Sequence, residues 1–535
     1  MTTITSTNNI PSASIQQPFS IKDFFTEPST SDAASSHESL VWELASILFD
    51  DIKIPADLVD FPNATARLRK DNLSSFWQRL VGPASLRDAT MAKSHEEKAI
   101  ACLSGHKVDE ACKYLLEGND YHLATLVALI GQNGSTKQDV RAQLLEWKNS
   151  KMLSEISQPV RTLYELLAGS VCVCDGSKQG PLEDRMESYI ISKRHGLDWR
   201  QAFGLRLWYA IAVQDSLEIA VQQFTDELHN DKETARPVTW YTEQGVAPIW
   251  EDPAVSSRED LLWGLLKLYA HSESDLEAIL RPENSQLSPL NTRLSWQLSR
   301  ALTAFDKVSY GSDEVAKTDT LTLDFATQLA SEGHWLDAVF VLIHLTSPSS
   351  RAKAIQQHLA HYAADIGEED GEVFQTLTEK LHVPSAWIWE AKALYMRQTL
   401  HNHVKETQYL LKAGSYNEAH RTFVTTVAPQ AVVERDYDML RSILNGFEGH
   451  HLAIKEWHVG GEVYADYNVL LQQQDTALEV INRLFKSLPA MANKSDNTFM
   501  ENVAIQEMSA ALSKAIIGKG KTLQVCFSST YDILY

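Results

Sequence analysis

Long hydrophobic runs, positive charge and cysteine are all scarce in this 535-residue chain, and each scarcity removes a class of function. No apolar run approaches the ~20 residues of a helical membrane span, and LATLVALIG at residues 123–131 has the length of a buried helix, so no span is expected. Lys and Arg number 48 against 70 Asp and Glu, a formal net charge of −22. Nucleic-acid affinity depends on cations neutralising backbone phosphates, so direct RNA or DNA binding is not expected. One basic cluster, Arg67, Arg69 and Lys70, falls in a helical stretch and reads as a solvated face. Five cysteines, Cys102, Cys112, Cys172, Cys174 and Cys526, are an odd count in a large chain, which argues for a reducing compartment and against a disulfide framework. The opening MTTITSTNNIPSASIQQ lacks the basic start and apolar core of a secretory signal, so none is expected.

Catalytic signatures are equally sparse. Gly520-Lys521-Thr522 resembles the end of a phosphate-binding loop, but Ala515 stands where the leading glycine belongs and no clear strand precedes it. His358, His361 and Asp365 can share a helical face, yet a zinc site needs further ligands that the spacing does not supply, so a structural histidine face is expected. Cys172-Val173-Cys174 is too tight for a Cys-x-x-Cys knuckle and has no second pair. Neither a Gly-x-Ser-x-Gly elbow nor a His-Glu-x-x-His helix occurs. The acidic cluster Glu368, Glu369 and Asp370 reads as a solvated loop, because acid–base chemistry needs a shaped and partly dry cleft. The expectation is therefore a protein that is not an enzyme, with no catalytic residues, cofactor or metal, that works by binding through surface.

What the chain does have is one repeated device. In DFATQLASEGHWLDAVFVLIHL, residues 324–345, Phe325, Leu329, Val339, Leu342 and Ile343 fall at helical spacing on either side of Gly333. Glycine can take the left-handed conformation that closes a helix, so two antiparallel helices with a short connection are expected. Ala338, five residues after that glycine, is small enough for close helix approach. Gly414 precedes Ala419 by the same offset, whereas Gly105 precedes Ala111, and Gly118 precedes Ala124, by one residue more. An irregular helical solenoid, all-α, is the economical architecture. Residues 1–38 read as a flexible Ser/Thr-rich leader in which Phe19, Ile21, Phe24 and Phe25 can dock on a partner or on the solenoid's own end, or form a local flap. A first helix is expected from Ser39 and a second ended by Gly82 and Pro83. CVCDGSKQGPLE is expected as a loop with a helix following in DRMESYIISKR, and residues 231–256 as a long loop glued down by Trp240, Tyr241 and Trp250.

Several stretches resemble one family in its own order: GHKVDEACKYLLEGNDYHLATLVALIG, TLYELLAGSV, LDWRQAFGLRLWY, LNTRLSWQLSRAL, QLASEGHWLDAVFVLIHL, LHVPSAWIWEAKAL and ERDYDMLRSIL, across about residues 40–467. The family is the helical nucleoporin called nucleoporin ninety-six in animals and the carboxy-terminal half of nucleoporin one-forty-five in fungi. The resemblance implies the ancestral coatomer element fold, a solenoid folded back on itself through crown, trunk and tail modules, and a place in the Y-shaped scaffold of the nuclear pore complex at the nuclear envelope. On that basis residues 39–104 are outgoing trunk, 105–230 crown, 257–400 returning trunk and 401–535 tail. The crown is expected to meet the crown of a related helical nucleoporin, and the tail to join hub nucleoporins, in support of nucleocytoplasmic transport and mRNA export. A small β-propeller shared with the COPII coat is a family partner docked through a strand-forming insertion before the first helix; the leader lacks three plausible strands, so that insertion is not expected here. Leu144, Trp147, Leu163 and Tyr164 are the expected crown contacts, against core packing for each. A COPII-like vesicle coat scaffold is the alternative, and a site assembled from distant residues is a third.

Overall fold

In the computed structural model of the chain, residues 2–518 are described apart from 17, 25–32, 56–62, 132–133, 178–184, 213, 252, 272–273, 306–307, 312, 473–477 and 496. Phe25, most of the 54–62 connection, Gly520-Lys521-Thr522 and Cys526 lie outside the described residues. Helix dominates, as the 3.6-residue apolar period requires, and the chain is an all-α solenoid with two small β-ribbons among the described residues. The chain divides into two compact units, Ile15–Gln328 and Thr2–Ser14 with 329–518, a division inside the stretch expected as returning trunk.

The first unit carries α1 (Ala33–Phe49), α2 (Ala64–Met91), α3 (His95–Ser104), α4 (Val108–Glu117), α5 (Tyr121–Ala128), α6 (Gly134–Asn149) and α7 (Gln158–Leu167). After a ribbon come α8 (Ile191–His195), α9 (Trp199–Leu205), α10 (Leu217–His229), α11 (Trp240–Glu243), α12 (Leu261–Ala270), α13 (Leu276–Ile279) and α14 (Arg293–Thr303). α1 opens six residues before the expected Ser39. α2 continues eight residues past Pro83, where an end was expected. Proline removes one N–H and crowds the preceding turn at a cost of about 3 kcal/mol. Burial outweighs that here: Leu73, Phe76, Trp77 and Val81 before the proline, and Ser85 and Ala89 after it, line one buried face.

The unit folds back on itself. α1 lies along α12, with the Phe49 and Tyr269 rings 6.1 Å apart edge to face, and Arg293 of α14 pairs with Glu38 of α1 at 2.6 Å across 255 residues of sequence. α2 lies along α9: Trp77 meets Phe203 at 5.0 Å and Trp199 at 5.9 Å, and its indole N–H donates to the Arg200 carbonyl at 2.8 Å. Trp263 and Phe224 complete this aromatic centre, 5.0 Å apart. Edge-to-face pairs contribute about 0.5–1.5 kcal/mol each beyond burial, so these contacts tie helices that are remote in sequence.

The ribbon between α7 and α8 replaces the expected loop and helix start. β3 (Val173–Cys174) pairs antiparallel with β4 (Tyr189–Ile190), extended by a Ser177–Met186 bridge. The β-branched and aromatic run Tyr189, Ile190 suits a half-buried strand better than a helix start. The long loop behaves as expected: Trp240 donates to the Ser285 carbonyl at 2.8 Å and Tyr241 to that of Glu283 at 2.7 Å, both rings buried.

α15 (Glu314–Ser331) runs across the division. The second unit then has α16 (Trp335–Leu342), α17 (Pro348–His361), α18 (Glu372–Gln375), α19 (Ser385–Gln398), α20 (His403–Ala413) and α21 (Tyr416–Thr422). It ends with α22 (Ala428–Glu434), α23 (Tyr437–Gly446), α24 (Gly461–Gln472), α25 (Leu478–Ala492) and α26 (Phe499–Gly518), over a core that includes Phe423, Phe447, Tyr464, Leu484 and Met508. The leader departs from the expectation of a flexible segment and carries two strands among the described residues. β1 (Thr2–Thr7) and β2 (Ile10–Ile15) form a hairpin through Asn8 and Asn9, whose φ of 53° and 60° match the primed two-residue turn that asparagine tolerates. β2 leans on this unit through Ala13 N–H to the Ile343 carbonyl, at 3.3 Å.

The glycine device takes two forms, which accounts for the two offsets. Gly333 and Gly414 adopt the left-handed conformation themselves, at φ +87° and +77°, and nothing lies within 4 Å of where a Cβ would sit. At the longer offset His106 and Asn119 take positive φ, 57° and 62°, one residue later. Gly105 and Gly118 serve close approach instead: a Cβ would meet Ser85 Oγ at 2.5 Å and His95 Cβ at 3.0 Å. Ala111, Ala124, Ala338 and Ala419 are all buried, as helix approach requires.

Candidate functional site

Two polar networks of the first unit are buried and turned inward. Asp260, fully buried at the start of α12, accepts from Leu262 N–H at 2.8 Å as a helix cap and faces His37 Nε2 at 3.2 Å. Arg200 bonds Glu243 at 2.8 Å and approaches Asp260 at 3.9 Å. Burial alone would raise the Asp260 carboxyl, but His37 and Arg200 outweigh it and hold the carboxyl below its ordinary range. Desolvation wins at Glu243, whose carboxyl is pushed up to about 7 against the pull of Arg200. This network clasps α1 to α12. A second one sits beneath α10, where the fully buried Arg206 pairs with Glu227 and, at 2.8 Å, with Glu233, which Ser192 also contacts. Neither network lines the groove between α1 and α2 or the groove beside the β3–β4 ribbon.

The groups singled out for chemistry resolve into structural parts. Cys172 and Cys174 are buried free thiols pushed up by burial to about 12 and about 11, and Cys172 Sγ donates to the Lys232 carbonyl at 2.9 Å. His358 bonds the Trp335 carbonyl at 2.9 Å, burial lowers its basicity, and its ring meets Tyr362 at 4.9 Å; among the described residues no group of His, Cys, Asp and Glu is arranged to hold a metal. Glu369 pairs with Lys412 at 2.9 Å, and Lys412 and the buried Lys392 sit over the Trp389 ring at 4.2 and 5.2 Å. The basic cluster is only partly a solvated face. Arg67 is exposed, but Arg69 donates to the Ile47 and Asp50 carbonyls at 3.1 and 2.8 Å, and Lys70 to those of Ala212 and Asp215 at 2.7 and 3.2 Å. Both therefore satisfy carbonyls left open at segment ends.

The four expected contact residues come together on α6 and α7, in the chain's own core. Leu163 is completely buried, Tyr164 and Leu144 nearly so, and Trp147 packs edge to face on Tyr164 at 4.9 Å. Leu145, one position and about 100° further round the helix, is 59% exposed, and Met152 is 55% exposed. Leu116, Tyr121 and Leu129 on the preceding segments are open as well, and in the second unit Leu452, Phe499 and Ile517 are. Leu144 and Leu145 differ only in helical phase, which residue type alone does not reveal.

The family described as Nuclear protein 96 (Nup96) matches residues 97–395, more than half of the chain. Nucleoporin NUP145 of Chaetomium thermophilum is 36% identical over 478 residues, covering 89% of this chain and 24% of that protein. Nucleoporin nup189 of Schizosaccharomyces pombe is 30% identical over 514 residues, with shares of 92% and 27%. The Drosophila melanogaster nuclear pore complex protein Nup98-Nup96 is 27% identical over 437 residues, with shares of 80% and 21%. The chain thus spans about a quarter of the length of these relatives.

Proposed function

The chain belongs to the Nup96 family of nuclear pore components, and from that premise we propose that it is a structural scaffold subunit of the pore's Y-shaped coat. It acts at the nuclear envelope by holding partner nucleoporins and so supports nucleocytoplasmic transport and mRNA export. The observation that carries this reading is agreement with nucleoporins along 89% and 92% of the chain, in a protein whose two buried polar networks in the first unit serve its own packing. The role is structural rather than catalytic.

The crown, residues 105–230, meets a related helical nucleoporin, with the exposed Leu145 and Met152 and the half-buried Trp147 as the contact residues that its surface offers. The tail, from residue 401, joins the hub of the Y, with Phe499 and Ile517 available on α26. The β1–β2 hairpin supports the propeller partner, because strand pairing needs an extended segment before the first helix. Imaging a tagged chain in cells tests the reading. A nuclear rim is expected; puncta at endoplasmic reticulum exit sites without a rim would favour a vesicle coat instead.

A further inference from the structure

We propose that the groove beside the β3–β4 ribbon docks an acidic, extended peptide segment of a partner protein. The groove has a volume of about 490 Å³ and is lined by Val173, Ser188, Tyr189, Ile190, Lys193 and Arg194. That size lies in the range of ligand-binding clefts. Val173, Tyr189 and Ile190 are half-buried and supply an apolar floor, while Lys193 and Arg194 are exposed at its rim.

Two features select the occupant. The first is charge: this is a chain of net charge −22, with 70 carboxylates for 48 cations. Lys193 and Arg194, two adjacent exposed cations with no carboxylate in salt-bridge range among the described residues, therefore put positive charge at the rim of an apolar groove. Such complementarity favours an acidic partner in encounter rate and in specificity. The second is the floor: Val173, Tyr189 and Ile190 offer a half-buried apolar strip along the ribbon that the apolar side chains of an extended segment can cover. A duplex or single-stranded nucleic acid needs a longer cationic track than two side chains provide, and a membrane surface needs more cations still. A segment alternating carboxylate and apolar residues meets both the floor and the rim.

This interaction is independent of the scaffold reading. The test is fluorescence anisotropy of the full chain with a labelled peptide of alternating glutamate and valine. A lysine–valine peptide and a single-stranded oligonucleotide of matched charge serve as comparison probes. Saturable binding of the acidic peptide is expected, weakening as salt rises from about 50 to about 300 mM. In K193E/R194E and in K193A/R194A the affinity should fall by about tenfold or more. R67E, which alters an exposed cation on α2, should leave it unchanged. Melting temperatures matched to wild type would verify that the surface variants fold. Equal binding by wild type and K193E/R194E, or equal binding of the oligonucleotide, would overturn the proposal.

Discussion

Gly105 and Gly333 sit in similar helix-to-helix turns and should both resist alanine, yet for different reasons that asparagine separates. A Cβ at Gly105 would lie 2.5 Å from Ser85 Oγ and 2.7 Å from Ser85 Cβ. Ser85 is completely buried and its hydroxyl donates to the Ala101 carbonyl at 2.7 Å. Rotating the hydroxyl away loses that bond and leaves the carbon in place, so α2 and α3 must separate. Overpacking of this kind costs about 1–3 kcal/mol, and a stiffer unfolded chain returns at most about 1. G105A should therefore lose about 1–2 kcal/mol. Gly333 has open space but φ +87°, so G333A is charged only for left-handed strain, again about 1–2 kcal/mol. Alanine cannot separate the two causes; asparagine does. Asparagine tolerates the left-handed region, so G333N should sit well above G333A, whereas G105N should be no better than G105A. Scanning calorimetry reads the difference as about 2–4 °C per kcal/mol in units of this size. If G105N proves as mild as G333N, the close-approach argument at Gly105 is wrong.

The clasp between α1 and α12 gives two more tests. D260A removes a helix cap and leaves His37 and Arg200 without their buried partner, for a loss of about 3–5 kcal/mol, while D260N keeps the cap's shape and should lose less; thermal melting compares them. Glu243 titrates with the opposite sign. Its folded carboxyl is raised to about 7, so the native state binds the extra proton and stability should fall as pH rises from about 4.5 to about 7. Its side chain is 20% exposed on an open backbone, so after screening the effect is about 1 kcal/mol, and E243Q should flatten that slope in melts run against pH. The depressed Asp260 carboxyl contributes at pH above its unfolded value and loses that contribution on acidification. Cys102, Cys172 and Cys174, pushed up to about 11, about 12 and about 11, should resist iodoacetamide at pH 8 in the native protein and react on unfolding, as mass spectrometry would count.

Local physics was legible and distant pairing was not. Helical period places the apolar faces, but the glycine offsets of five and six residues read as one device in the sequence, and only the φ angles separate them into two turn geometries. Pro83 misled because a local breaker was weighed without the buried face that Trp77 and Ser85 continue through it. The β1–β2 hairpin had a signal in Asn8-Asn9 between short β-prone runs, which Ser/Thr content masked. No local pattern could announce that His37 meets Asp260 across 223 residues. Leu144 and Leu145 mark the limit for surface contacts: composition is the same at both positions, and only helical phase against α7 decides which faces outward.

The central claim is that this chain works as a scaffold through exposed crown surface. Size exclusion with light scattering, on the chain mixed with a related helical nucleoporin of the Y-shaped coat, tests it most directly. The account predicts co-elution at micromolar concentration with a mass equal to the sum of the two, lost in L145E/M152E. Separate elution of the wild-type proteins would contradict it.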